Sequence, residues 1–217
     1  MKQLLLELVP PAAPTFDNLV IGANAELIAA ARALAAAGAR ERERILYVWG
    51  EPGAGKSHLC AAVLRQAGGA VQIAAKAVPA APTAGALHVL DDVDALNEDG
   101  QAALFNLFNQ RGDARLLITG SHASRDLPIR RDLSTRVGSG LTYHMKPLSD
   151  GEKQAALLAH AEARDMALAE GIAGYLLRHG RRDMRSLIAM LDAIDRFSLE
   201  AGRPVTLPMV KAALNQS

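Results

Sequence analysis

Cysteine and aromatic side chains are scarce in this 217-residue sequence. Cys60 is the single cysteine, which excludes an internal disulfide and is typical of a protein kept in the reducing cytoplasm. Aromatic residues make up 4% of the chain and hydrophobic residues 50%, so alanine and leucine must form most of the core. The length suffices for one large domain or two small ones.

An excess of one charge, long apolar runs and metal-ligand spacings are also missing. The formal net charge is +1, which argues against a general electrostatic attraction to nucleic acid or membranes. No run approaches the length of a transmembrane helix, and the N-terminal stretch, interrupted by Glu7, is too short for a signal peptide. The six histidines are scattered. We therefore expect a cytoplasmic protein without a membrane partner.

A full phosphate-binding pattern, G-x-x-x-x-G-K-[ST], occupies residues 50–57. The apolar run Ile45–Trp49 before it predicts a buried strand, and residues 57–66 after it predict a helix whose N-terminus faces an anion. In this frame Lys56 reaches the β- and γ-phosphates and the Ser57 hydroxyl ligates Mg²⁺. The predicted site for ADP or ATP consists of Gly50, Pro52, Gly53, Ala54, Gly55, Lys56 and Ser57.

Two later strands end in polar side chains. The apolar run Leu87–Leu90 is followed by the paired carboxylates Asp91 and Asp92. Nucleotide chemistry needs a carboxylate for the metal and a group that orients the attacking water, so we assign Asp91 to Mg²⁺ and Asp92 to the water. Another strand ends near Thr119 and Ser121, whose hydroxyls either bond the γ-phosphate or its water or form an ordinary polar strand end.

Continuous rather than alternating hydrophobicity predicts strands covered on both faces, and hence a parallel sheet between helices. The predicted strands are Ile45–Trp49, Ala70–Ala74, Leu87–Leu90, Arg115–Thr119 and, as a fifth candidate, Leu141–Met145. Residues 75–86 are rich in alanine and proline and predict a minimal loop in place of a crossover helix.

Helical patterns frame the predicted sheet. A helix is expected over Ala25–Ala37, with Asn24 as its N-cap. From the capping box at Ser149 and Glu152 onward the pattern is helical only, with helices near 150–165, 170–179, 182–200 and 207–215. We therefore divide the chain into an N-terminal peptide and linker (1–14), an α/β nucleotide-binding domain (15–148) and a helical lid domain (149–217).

Together these motifs resemble the AAA+ ATPases, specifically the initiator branch around the bacterial replication initiator DnaA. Residues 15–22 are similar to that family's N-terminal motif, which lines the adenine pocket, and residues 55–59 share its style of phosphate loop. The resemblance implies an α/β P-loop NTPase fold with a small all-helical lid. It also implies an adenine pocket with Phe16, Val20 and Ile21, a phosphate-loop His58, sensor 1 at Ser121 or Thr119, an arginine finger at Arg136 and sensor 2 at Arg185.

The sequence differs from the DnaA-type initiators in three respects, and these indicate a particular family within the initiator branch. The sequence given ends after the helical region, without the helix-turn-helix that initiators use to read origin DNA. Residues 75–86 leave no room for the helical insertion that initiators use against single-stranded DNA, and residues 150–217 contain nine basic and nine acidic side chains. This pattern is similar to the Hda family, whose members promote hydrolysis of ATP bound to DnaA.

The first residues also fit that family, which is tethered to the DNA sliding clamp by a peptide of the type Gln-Leu-x-Leu-x-Leu. Gln3, Leu4, Leu6 and Leu8 supply this spacing, and the proline-rich residues 9–14 would hold the peptide away from the body of the protein. An extended peptide can place alternate side chains in a partner's pockets. The alternative is a leucine-rich arm that packs on its own domain.

The resemblance implies a cytoplasmic negative regulator of replication initiation that binds ADP or ATP with Mg²⁺. Its implied partners are DnaA and the sliding clamp of DNA polymerase III, with homo-oligomer formation, weak intrinsic ATPase activity and no sequence-specific DNA binding. Three alternatives stay open: an AAA+ helicase loader or initiator-type ATPase acting by its own turnover, a P-loop small-molecule kinase, and a protein that binds DNA through residues 178–185.

Overall fold

The computed structural model describes residues 13–36, 40–79, 81–166, 168–169, 171–180, 183–202 and 205–214. Their contacts form two units, one spanning Pro14–Pro147 and the other containing Leu148–Ser217, and each is described by itself below. The predicted clamp-binding residues Gln3, Leu4, Leu6 and Leu8 lie outside the described residues.

A parallel sheet forms the centre of the first unit, as the continuous apolar runs predict. Its strands are β1 (Ile45–Trp49), β2 (Val71–Ile73), β3 (Leu87–Leu90), β4 (Arg115–Gly120) and β5 (Leu141–His144). They lie in the order β2-β3-β4-β1-β5, and every pairing is parallel. The carboxyl ends of β1, β3 and β4 therefore meet at one edge, which is where open α/β sheets bind their ligands.

Two apolar layers cover the sheet. Helices α1 (Ala25–Ala35) and α2 (Lys56–Gln66) cover one face, and α3 (Glu98–Gln110) and α4 (Arg131–Val137) cover the other. Strand β1 serves both layers, because Leu46 packs with the first pair of helices and Tyr47 with the second. Both side chains are fully buried. Burying a large apolar side chain of this kind stabilises the fold by about 1.5–3 kcal/mol. The described residues of this unit also form three short 3₁₀ turns, Glu41–Arg44, Val93–Ala95 and Ser124–Asp126.

Helix α3 was not predicted from the sequence. Its N-cap is Asn97, whose side chain accepts a hydrogen bond of 2.9 Å from the backbone N–H of Gly100. The buried positions Leu104, Leu107 and Phe108 follow a helical period. The capping residue and this period are the signals that identify the helix.

Asn24 is the N-cap residue of α1, as predicted, and its carbonyl accepts the first backbone hydrogen bond of the helix from the Ile28 N–H (3.0 Å). The Asn24 side chain makes no capping hydrogen bond. Instead it is buried, donates to the carbonyl of Lys146 (2.9 Å) and accepts from the Lys146 N–H (2.8 Å). Asn24 thereby joins the start of α1 to the segment after β5, a pairing across the chain that local sequence does not encode.

The second unit is helical throughout its described residues, with α5 (Asp150–Glu162), α6 (Ile172–His179), α7 (Met184–Ala201) and α8 (Leu207–Leu214). The predicted capping box is present, since the Ser149 hydroxyl accepts from the Glu152 N–H (3.2 Å) and the Glu152 carboxylate accepts from the Ser149 N–H (2.7 Å). His160 on α5 lies 2.7 Å from Asp192 on α7. Across the part of the chain that the structure describes, no helix combines the length and hydrophobicity that crossing a bilayer requires.

Candidate nucleotide-binding site

The phosphate loop connects β1 to α2, and its glycines are required by its geometry. Gly53 and Gly55 have φ angles of +82° and +110°, in the left-handed region that favours glycine. A Cβ on Gly50 would lie 2.5 Å from the carbonyl oxygen of Met145, which follows β5. The loop is therefore packed tightly on the end of β5 and opens onto the N-terminus of α2, an arrangement that suits an anion.

Lys56 and Ser57 occupy the first two positions of α2. The ammonium of Lys56 is half-buried and donates to the carbonyl oxygens of Gly50 (2.5 Å) and Glu51 (3.1 Å). The Ser57 side chain is exposed. P-loop proteins hold nucleotide phosphates and Mg²⁺ with the same three groups, namely the backbone N–H groups of the loop, a lysine such as Lys56 and a hydroxyl such as that of Ser57.

Thr119 connects Asp91, the predicted Mg²⁺ ligand, with Asp92, the predicted catalytic residue. It is fully buried at the end of β4, where its hydroxyl donates to Asp91 (2.6 Å) and accepts from the backbone N–H of Asp92 (2.8 Å). Asp92 has a φ of +61°, which is uncommon for a residue with a side chain. The Thr119 hydroxyl thus bonds the Asp91 carboxylate and the Asp92 backbone, and its one hydrogen is already donated to Asp91.

Asp94 is a further residue of the site and was not predicted from the sequence. Its carboxylate accepts from the Ser121 backbone N–H (2.7 Å) and from the Ser121 hydroxyl (2.9 Å). The same hydroxyl oxygen lies 2.6 Å from Nδ1 of His122, so that nitrogen must carry the hydrogen and donate. The signal that identifies Asp94 is a third carboxylate two residues after Asp92.

The clustered acidic residues affect each other's protonation. Burial, then hydrogen bonding and charge from Asp94, and then the charge of Asp91 raise the pKa of Asp92, while the charge of Lys56 opposes the rise. Burial, followed by the charges of Asp94 and Asp92, also raises the pKa of Tyr47, whose hydroxyl donates to the carbonyl of His122 (2.6 Å). This end of the sheet therefore carries concentrated negative charge, as a site for Mg²⁺ requires.

Ser57 and Asp91 are the predicted Mg²⁺ ligands, and two protein ligands do not complete the coordination of the ion. Within the described ranges, no group of three or more His, Cys, Asp and Glu residues is arranged to hold a metal ion. Mg²⁺ is usually bound through one or two carboxylates together with the phosphates of a substrate. Ser57 and Asp91 fit that mode, and their role as metal ligands stays a prediction.

His58, which follows the phosphate loop in α2, contacts the segment before α1. Its Nε2 lies 3.0 Å from both the Thr15 carbonyl and the Asn18 side-chain oxygen, so Nε2 carries the hydrogen and donates to both. Phe16 is buried in the core, with the guanidinium of Arg32 4.5 Å from its ring centroid. Of the other residues predicted to line the adenine pocket, Val20 is half-buried and Ile21 is exposed.

The two predicted arginines lie in different units. Arg136 is exposed in the last turn of α4, and its guanidinium lies 5.1 Å from the ring centroid of Phe105. Arg185 is exposed in the first turn of α7, in the helical unit. Their roles as arginine finger and sensor 2 stay predictions.

The sheet order, the phosphate loop after β1 and the acidic pair after β3 define an AAA+ P-loop fold with a helical lid. Residues 12–77 match the family model of the bacterial DnaA ATPase domain, and residues 150–214 match the model described as Hda, lid domain. The chain is therefore a DnaA-related, Hda-like AAA+ protein.

Solved structures share this fold at low sequence identity. Domain III of the replication initiation protein DnaA from Thermotoga maritima is 18% identical, with a TM-score of 0.69 over 95% of this chain and 98% of that chain. AMPPCP-bound DnaA from Aquifex aeolicus is 16% identical, with a TM-score of 0.63 over 87% and 69%. A single-residue variant of RuvB from Thermotoga maritima is 14% identical, with a TM-score of 0.65 over 96% and 72%.

Proposed function

We propose that this protein is a negative regulator of replication initiation that stimulates hydrolysis of ATP bound to a DnaA-type initiator. The observation that carries the proposal is the combination of an Hda-type lid with an exposed arginine, Arg136, on the nucleotide-binding unit. Among the described residues Arg136 forms no ion pair, so its charge is available to a partner. An arginine finger supplied by one protein to another raises phosphoryl-transfer rates by about 10³- to 10⁵-fold.

In this proposal the protein's own adenine nucleotide, ADP or ATP, occupies residues 50–57. Lys56 neutralises phosphate charge, and Ser57 and Asp91 hold Mg²⁺, which supplies further charge neutralisation across the phosphate oxygens. Phe16, Val20 and Ile21 are assigned to the adenine side. The binding of AMPPCP by a DnaA of the same fold supports an adenine nucleotide here.

The hydroxyl network at the end of β4 supports a low intrinsic turnover. Thr119 donates its hydrogen to Asp91, and Ser121 donates its hydrogen to Asp94. Neither predicted sensor hydroxyl has a second hydrogen for a γ-phosphate oxygen. We therefore assign the bound nucleotide mainly to fixing the protein's conformation, with Asp92 orienting water only in slow turnover.

A helicase loader or initiator-type ATPase that acts by its own turnover is the alternative function. It requires Thr119 or Ser121 to release its carboxylate and contact the nucleotide, and it predicts a fast intrinsic rate. A small-molecule kinase gives no role to the Hda-type lid over residues 150–214.

Substitution of Arg136 tests the proposed function. DnaA loaded with ATP is mixed with this protein and clamp on DNA, and the hydrolysis of the DnaA-bound ATP is followed. We expect Arg136→Ala to reduce the stimulated rate to near the rate of DnaA alone. Arg131→Ala is the matched control, because Arg131 is an exposed arginine on the same helix. Equal stimulation by wild-type protein and Arg136→Ala would reject the finger.

The proposed clamp tether rests on the sequence pattern of residues 3–8. We expect the double variant Leu4→Ala, Leu6→Ala to lose clamp binding in a pull-down, because both residues occupy leucine positions of the Gln-Leu-x-Leu-x-Leu pattern. Leu5→Ala is the control, since Leu5 occupies an x position. Unchanged binding by the double variant would refute the tether and leave the nucleotide site unaffected.

A further inference from the structure

The ring of Phe105 on α3 contacts two arginines, Arg130 just before α4 and Arg136 in its last turn. The guanidinium carbon of Arg136 lies 5.1 Å from the ring centroid, and that of Arg130 lies 5.8 Å from it. Both distances are within the range of a cation–π interaction. Phe105 is half-buried against the apolar layer beneath α3, so its ring is fixed by packing while the arginines are exposed.

Helix α3 also holds the beginning of α4 through Gln101. The side-chain oxygen of Gln101 accepts from the backbone N–H of Arg130 (2.9 Å), and its amide nitrogen donates to the carbonyl of Leu96 (3.1 Å). Gln101 and Phe105 are four residues apart on α3 and therefore lie on one face of the helix. One face of α3 thus holds the backbone at the start of α4 through Gln101 and contacts the Arg136 side chain at the end of α4 through Phe105.

The two arginines on the Phe105 ring differ in their charge environment. Arg130 forms an ion pair of 2.6 Å with Asp132, and Asp132 also accepts from the backbone N–H of Leu133. The charge of Arg130 is therefore locally compensated. No carboxylate among the described residues pairs with Arg136, so the ring face is the contact that restricts this side chain while leaving its charge available.

We propose that Phe105 is the positioning residue of Arg136, holding its guanidinium in the orientation that enters a partner's nucleotide site. This inference rests on the proposed function of Arg136 and adds the residue that aims it. A flexible arginine samples many rotamers, and restricting it raises the fraction of docked complexes in which the guanidinium has the orientation needed for catalysis. An exposed cation–π contact of this kind favours the held orientation by roughly two- to five-fold.

The test compares Phe105→Leu with Phe105→Trp in the assay of hydrolysis on DnaA. We expect Phe105→Leu to lower the maximal stimulated rate about two- to five-fold, from the loss of the ring face, without changing the concentration that gives half-maximal stimulation. Phe105→Trp retains an aromatic face and should keep the maximal rate near that of the wild type. Phe108→Leu, a change in the buried core of the same helix, controls for loss of stability and should leave the maximal rate unchanged.

A second measurement needs no variant of uncertain folding. In wild-type protein the Nε–H of Arg136 should show a ring-current shift in its NMR resonance, because the guanidinium lies over an aromatic ring. Absence of this shift, or equal maximal rates for Phe105→Leu and wild type, would overturn the positioning role. If Arg136→Ala stimulates normally, the finger assignment itself fails; if Arg136→Ala is inactive and Phe105→Leu is normal, only the positioning inference fails.

Discussion

At the scale of single residues, the Thr119 hydroxyl has a structural role that its sequence position does not reveal. A polar residue at the end of a strand could contact a ligand or merely face solvent. Thr119 does not face solvent, because it is fully buried and bonded to both neighbouring aspartates. We therefore regard it as the group that holds Asp91 and Asp92 in place.

Replacing Thr119 by valine should destabilise the protein. The change removes the donor to Asp91 and the acceptor for the Asp92 N–H while keeping the side-chain shape, so we expect a loss of about 1–3 kcal/mol in the free energy of unfolding. Urea denaturation measures this loss. Thr119→Ser keeps the hydroxyl and serves as the control. A valine variant as stable as the wild type would show that the hydroxyl does not hold the two aspartates.

At the scale of the elements, β1 and β5 are joined beside the phosphate loop by Trp49, His144 and Glu51. The rings of Trp49 and His144 are stacked, with centroids 4.0 Å apart and planes 10° apart. Nε2 of His144 lies 3.4 Å from the Glu51 carboxylate. A hydrogen bond from the Glu51 backbone, and then one from His144, lower the pKa of the Glu51 carboxyl. Desolvation opposes this shift, and the charges of His144 and Lys56 add to it.

Lowering the pH should break the contact between Glu51 and His144. Because the pKa of Glu51 is lower in the folded than in the unfolded protein, its favourable contribution is present above the unfolded value and is lost as the pH falls through the folded value. His144→Phe keeps the stacked ring but removes the hydrogen bond, so the pKa of Glu51 should rise toward its ordinary value. NMR titration of the Glu51 carboxyl measures this, and Trp49, the sole tryptophan, reports the stack by fluorescence. An unchanged pKa in His144→Phe would contradict the contact.

The elements also show how far sequence predicts this fold. The strands were predicted because parallel strands covered on both faces are continuously apolar, and the capping box at Ser149 was predicted because its two partners are three residues apart. Helix α3 was missed because its few buried positions stand among polar residues, with Gly100 in the first turn.

Contacts between distant parts of the chain could not be predicted in the same way. His58 meets Thr15 across 43 positions, and Asn24 meets Lys146 across 122 positions. No local period encodes such pairs. For the site, the phosphate loop and Asp91–Asp92 were predictable from spacing, whereas Asp94 became visible as a partner of Ser121 only once β3 and β4 were placed side by side.

At the scale of the whole molecule, the chain combines a P-loop unit that matches the DnaA ATPase domain over residues 12–77 with a helical region that matches the Hda lid over residues 150–214. The Thr119 and Ser121 hydroxyls, which were predicted to act as sensor 1, are bonded to the protein's own carboxylates, while Arg136 is exposed on the same unit. These features favour a protein that acts on a partner's nucleotide over one driven by its own hydrolysis.

The most direct test of this claim asks whose ATP is hydrolysed. Radiolabelled ATP is bound either to DnaA or to this protein, the two proteins are mixed with clamp on DNA, and labelled ADP is followed with time. We predict rapid conversion of the label on DnaA and slow conversion of the label on this protein, with Arg136→Ala abolishing the rapid phase. Rapid conversion of the label on this protein, together with an unchanged rate on DnaA, would contradict the account.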